Sequence, residues 1–267
     1  MGPRLRTVFH TALVMSLLAG ATQLEAQTSR PASAPKVRGN VTYSGTLWQK
    51  AKYDIRGLFQ IVESNGKQTL VLSKDFRTRS GPDLKVVLSP KEFDDVTGKN
   101  ALDGGLNLGL LSSNKGAQNI AIPRGADLSK YRTLLIHCEE YSVLWGGVAL
   151  RPGKVVGFGT EWTKKSKKAT GAFEIVVDGD RTVIRLADNF KTSSAPDLKF
   201  VLTNTTPRRA SNKNALKGGT IVGLLESNRG AQEVVVPKGV DVSSFKTLLI
   251  HCEQYTKLWA AATIQRP

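Results

Sequence analysis

The stretch Gly45 to Leu150 reappears as Gly159 to Ile264, offset by 114 residues without a gap. About 45 of the roughly 106 paired positions are identical, so the chain must reach one fold twice, each time from half of its length. The copies share Leu134-Leu135-Ile136-His137-Cys138-Glu139 and Leu248-Leu249-Ile250-His251-Cys252-Glu253, which contain the only two cysteines. Outside the N-terminal segment, His137 and His251 are also the only histidines. Each copy therefore has one His-Cys pair, and most of the obvious side-chain chemistry is confined to it.

The N-terminus carries Arg4 and Arg6, then an apolar run from Val8 to Ala21 and small residues up to Ala26. This is the layout of a secretory signal segment over 1–26, and its apolar run is shorter than the roughly 20 residues of a membrane span. No later stretch is long and apolar enough to cross a membrane, so the expected location is secreted or periplasmic. Residues 27–44 read as a leader rich in Ser, Ala and Pro. The first domain is then 45–150, the linker 151–158 and the second domain 159–267, each domain large enough to bury its own core.

Short Val-, Ile- and Leu-rich runs recur about every ten residues, separated by Gly, Pro, Asn and Asp. They are Leu58 to Val62, Thr69 to Leu72, Leu84 to Leu88, Leu106 to Leu111, Ile120 to Ile122, Thr133 to Cys138 and Leu144 to Leu150. The spacing predicts an all-β class with two homologous sandwich or barrel-like domains in tandem. Ser64-Asn65-Gly66 and Asp178-Gly179-Asp180 supply the positive φ angles of tight hairpins. Their glycines are one position apart in the alignment of the copies, which predicts turns of different type between aligned strands.

On an extended strand Leu134, Ile136 and Cys138 share one face, while Leu135, His137 and Glu139 share the other. His137 and Cys138 are thus poorly placed to ligate one metal, and the cysteine lies on an apolar face where a thiol most often packs as a small hydrophobe. His137 with Glu139 reads as a solvent-facing polar pair. Three states of the thiols stay open: inert and buried, joined as a Cys138 to Cys252 disulfide, or redox-active or cofactor-ligating. The disulfide would need Cα atoms within roughly 6 Å, and closing so long a loop could add on the order of 4 kcal/mol. Trp145 and Trp259 are expected in the core beside the cysteine strands. No metal-spaced cluster, nucleophile elbow or phosphate loop is present, and no acid, base and nucleophile set points to an enzyme.

Lysine and arginine number 38 against 22 acids, for a formal charge of +16. The densest runs are Lys164-Lys165-Ser166-Lys167-Lys168 and Pro207-Arg208-Arg209. Basic residues interleaved with exposed aromatics, or a groove-reading motif, are absent, so nucleic acid is not the expected partner. The runs read as solvated basic surface that keeps the protein soluble near acidic envelope polymers, and alternatively as the contact of a non-catalytic binding or adhesion module with such a polymer.

One ordered series resembles the DM13 family, also called electron transfer DM13. It runs through Asp75-Phe76-Arg77-Thr78, Gly81-Pro82-Asp83-Leu84, Leu106-Asn107-Leu108-Gly109, Ile122-Pro123, Asp127-Leu128-Ser129-Lys130-Tyr131 and the cysteine strand. The second copy matches with Asn189-Phe190, Ala195-Pro196-Asp197-Leu198, Val236-Pro237, Asp241 and Cys252. The resemblance implies an extracytoplasmic β-rich module in which Cys138 and Cys252 take part in electron transfer, as free thiols or by holding a prosthetic group such as haem. It also implies a separate electron donor or acceptor protein. Where the family often has Trp before the cysteine, this chain has His137 and His251.

Overall fold

The computed structural model describes residues 1–2 and 36–267. The expected signal segment, Met1 and Gly2 apart, and the first half of the leader lie outside the described residues. In the first copy the strands are β1 (Asn40–Gly45), β2 (Gln49–Lys50), β3 (Phe59–Ser64), β4 (Lys67–Leu72), β5 (Leu84–Ser89), β6 (Leu106–Leu110), β7 (Gln118–Ala121), β8 (Thr133–Cys138) and β9 (Val143–Ala149). The second copy repeats them as β10 (Lys154–Gly159), β11 (Thr163–Lys164), β12 (Phe173–Asp178), β13 (Arg181–Leu186), β14 (Leu198–Thr203), β15 (Thr220–Leu224), β16 (Gln232–Val235), β17 (Thr247–Cys252) and β18 (Lys257–Thr263).

Each copy is a pair of antiparallel sheets, four-stranded in the order β1-β3-β4-β7 or β10-β12-β13-β16, and five-stranded in the order β2-β9-β8-β5-β6 or β11-β18-β17-β14-β15. Neither copy closes into a barrel, so the sandwich half of the expectation describes the fold. Phe59, Ile61, Leu70 and Leu72 from one sheet meet Leu84, Val86, Leu134, Ile136 and Cys138 from the other. Alternation along each strand sends these side chains to the inner face.

The outer face of the five-stranded sheet is buried as well. Val87, Leu135 and Leu144 lie under Phe93, Val96, Ala101 and Leu102, which come from the connection between β5 and β6. Val201, Leu249 and Leu258 lie under Ala210 and Ala215 in the second copy. All six residues of β8 and of β17 are consequently buried.

The hairpins follow their turn residues. Asn65 and Gly66 both take positive φ, 51° and 68°, which is the type I′ pattern. In the aligned turn of the second copy Gly179 alone does, at 60°, so the turns differ in type while β3–β4 and β12–β13 keep the same register.

Two boundaries differ from the sequence reading. β1 lies in the segment read as leader and pairs along β3, and β10 lies in the segment read as linker and pairs along β12. Thr42, Tyr43, Val155, Val156 and Phe158 are strand-forming residues that Gly and Ser neighbours disguised. With the linker taken up into strands, the copies touch. Ser44 Oγ donates to Gly153 O at 3.0 Å and accepts from Val155 N at 2.7 Å, while Leu58 packs with Val155, Val176 and Val183.

Candidate functional site

β8 ends at Cys138 because the chain turns there, through the exposed residues Glu139 to Ser142 with Ser142 at φ 49°. Cys138 pairs with Leu84 across β5 and with Val143 across β9, and Cys252 pairs with Leu198 and Lys257. Both thiols are free and 0 % exposed. Each sits in its own copy's core, so the disulfide does not form. The cysteine and the tryptophan of each copy share one apolar cluster, Cys138 with Trp145 and Cys252 with Trp259, as the sequence led one to expect. Indole Nε1 of Trp145 donates to Arg79 O at 2.9 Å, and that of Trp259 to Ser193 O at 3.2 Å.

The histidines correct the sequence reading. His137 and His251 are on the opposite strand face from the cysteines, but that face is not solvent, and they are only 2 % and 1 % exposed. A strand-by-strand reading cannot see that this face of the sheet is covered by the connection that follows β5 or β14. Burial holds both imidazoles below the ordinary histidine range, against the weaker pull of Glu139 on His137 and of Glu253 on His251. His137 keeps a backbone hydrogen bond at Val143, whereas neither ring nitrogen of His251 has a partner.

Beside each histidine is an ion cluster that sequence reasoning missed. Lys85, the register partner of His137, reaches Asp83 at 3.0 Å and Glu139 at 3.4 Å. Lys199, the partner of His251, reaches Asp197 at 3.4 Å and also pairs with Glu253. Asp83 and Asp197, read as turn residues, thus also tie the end of the cysteine strand to its neighbour. The signal was the repeated Asp-Leu-Lys in both copies. Hydrogen bonding to a carboxylate holds each lysine above its usual range, to Asp83 first for Lys85 and to Glu253 first for Lys199.

A haem does not fit these residues. The thiol lies among packed Leu and Ile side chains, the neighbouring histidine faces away from it, and no group of three His, Cys, Asp or Glu among the described residues could hold a metal ion.

In the first copy an aromatic contact connects the cysteine core to a surface cleft. Tyr53 lies against Trp145 with ring centroids 4.6 Å apart, and the Arg79 guanidinium lies 5.2 Å from the Tyr53 ring. These two residues open onto a cleft of about 540 Å³ that Arg56, Arg77 and Asn114 also line. The second copy has Lys167 and Ser193 at the aligned positions. No helix among the described residues is long and apolar enough to cross a membrane.

No curated protein and no solved structure matches the chain. The profile of the family Electron transfer DM13 matches residues 47–150 and again 161–264, the two halves of the repeat and nearly all of the described fold. The chain belongs to the electron transfer DM13 family, as two copies of its domain in tandem.

Proposed function

We propose that this is an exported, non-enzymatic electron-transfer protein in which Cys138 and Cys252 act as one-electron centres, one in each copy, with separate proteins as donor and acceptor. Burial favours this form of the chemistry over thiol exchange. A thiolate must touch the disulfide it attacks, whereas an electron can tunnel through packed side chains. Oxidation takes one electron to the acceptor and releases one proton at the exposed turn after the cysteine, leaving a neutral sulfur radical that the donor and a returning proton reset. The observation that carries the reading is the Trp145–Tyr53 contact, which links the cysteine core of the first copy to the arginine-lined cleft, where an acidic partner could dock.

Cys138→Ser combined with Cys252→Ser is expected to remove the protein's voltammetric wave while the urea unfolding midpoint shows a fold that persists. A wave unchanged in that variant refutes the proposal. A second reading, binding to an acidic polymer of the envelope, is favoured by one observation, the uneven spread of positive charge between the copies.

A further inference from the structure

The two basic runs, some forty residues apart in sequence, form one surface. Lys165 Nζ donates to Arg208 O at 3.2 Å. Lys164 pairs with Ala260 of β18, and the backbone of Lys165 and Lys167 donates to Trp259 O. Asn212 Oδ1 accepts from Leu258 N, and Asn214 Nδ2 donates to Arg209 O. The segments 163–168, 206–214 and 257–259 are therefore neighbours. They present Lys164, Lys165, Lys167, Lys168, Arg208, Arg209, Lys213 and Lys257, all exposed except the half-buried Lys165. Among the described residues none of these eight lies within salt-bridge distance of an acid.

The first copy shows that the fold does not require this. At the eight aligned positions it has Lys50, Ala51, Tyr53, Asp54, Asp94, Asp95, Lys99 and Val143, two lysines against three aspartates, and Lys50 is neutralised by Asp54 at 3.2 Å. Nor is it a general excess of charge. Elsewhere, residues 159–264 carry eight lysines and arginines against ten acids. The positive charge of the second copy is gathered onto one face of an otherwise slightly acidic domain, which focuses its field on a partner there.

We propose that this face of the second copy is a binding site for an acidic polysaccharide. The inference rests on the binding reading and gives it a place and a ligand class. Thr163, Ser166, Thr206, Ser211 and Asn212 lie between the cations, so hydroxyl and amide groups that can bond sugar hydroxyls alternate with lysines that meet carboxylates as point charges. None of the large exposed apolar side chains falls within these three segments, so nothing there would insert into a bilayer or stack against the bases of a nucleic acid.

The test measures binding of the full chain to polygalacturonate at low and high salt. The variants are Arg208→Asp with Arg209→Asp, which installs the residues the first copy already carries, and Lys130→Ser, which changes a cation of the first copy away from the patch. The wild type is expected to bind and to release with salt. The Arg208→Asp, Arg209→Asp protein should bind on the order of a hundredfold more weakly with an unchanged unfolding midpoint, and Lys130→Ser should bind as the wild type does. Full affinity in the double variant overturns the proposed site but leaves polymer binding standing elsewhere on the surface. No binding at low salt removes the binding reading itself. Binding to phosphatidylglycerol vesicles and not to polygalacturonate, lost in the double variant, makes the partner a membrane and overturns the ligand class.

Discussion

The two copies share the inner faces of their sandwiches and differ where they meet solvent and each other. Across the second four-stranded sheet, Glu174, Arg185 and Glu233 are register partners on adjacent strands. The first copy has Gln60, Val71 and Asn119 at the aligned positions. The charged row faces the first copy. Thr46 donates to Glu174 Oε2 from its backbone N at 2.9 Å and from Oγ1 at 3.1 Å, while Arg185 Nε donates to Glu233 at 2.8 Å and Arg151 reaches the same carboxylate at 3.2 Å. A duplicated β-sandwich keeps its core because each copy must still fold, and it is free to turn one outer face into a contact and another into a basic surface. Differences between the copies therefore mark acquired roles, and shared features mark the fold together with whatever the family does in common.

The tryptophans test how far the cores are equivalent. Trp145→Ala and Trp259→Ala should each destabilise their copy by about 3–5 kcal/mol, the cost of emptying a buried aromatic site. Trp145→Ala should cost more, because its ring also loses Tyr53, a contact worth about 0.5–1.5 kcal/mol. Urea unfolding of the full chain measures both, and equal losses would mean that the Tyr53 contact adds nothing to stability.

Glu174 tests the contact between the copies. Burial holds its carboxyl above the ordinary glutamate range, opposed by the Thr46 donors and the Arg185 charge. A carboxyl whose pKa is raised by folding binds its proton more tightly in the native state. Its contribution to stability is complete below about 4.5 and is lost as pH rises through the folded value. Glu174→Gln should therefore match the wild type in acid and be at least as stable at neutral pH, because the amide oxygen still accepts from Thr46. Glu174→Ala leaves buried donors unpaired and should cost about 1–3 kcal/mol, whereas Gln60→Ala at the aligned position of the first copy should cost less. Thermal unfolding between acid and neutral pH checks the sign, and a Gln variant that loses stability only at neutral pH would show the charge itself holding the copies together.

Most of the sandwich could be read from the sequence because its signals are local. The duplication, the Asn-Gly and Asp-Gly hairpins and the run from Thr133 to Cys138 each specify a strand or a turn within a few residues. β1 and β10 were hidden because the repeat was read as starting at Gly45 and Gly159, the last residue of each of these strands, although Gly159 is required by packing: a Cβ there would come within 2.4 Å of the Phe173 ring. The candidate site was half legible. Strand alternation placed Cys138 and Cys252 in the core, but it could not show that Phe93 and Val96, from a connection with no strand period, cover the face that Leu135 and His137 share. For the same reason the Lys164–Lys168 and Arg208–Arg209 runs looked like separate solvated stretches, since only β11 pairing on β18 brings them together.

A buried imidazole with no partner loses its hydration and gains nothing in return, so the histidines should separate the copies by a small amount. His251→Leu replaces two unpartnered nitrogens with apolar atoms of similar size and should stabilise by roughly 1 kcal/mol. His137→Leu also gives up the bond at Val143 and should be close to neutral. Both rings have folded pKa values below the ordinary 6.5, so the unfolded chain binds protons more readily. The penalty for burying them is therefore smallest above about 6.5 and grows as pH falls below it. In each variant the unfolding midpoint should decline less between neutral and mildly acid pH than in the wild type. A larger gain from His137→Leu than from His251→Leu would mean that the bond at Val143 holds its ring in a strained position, and that the first copy keeps its histidine for a purpose other than stability.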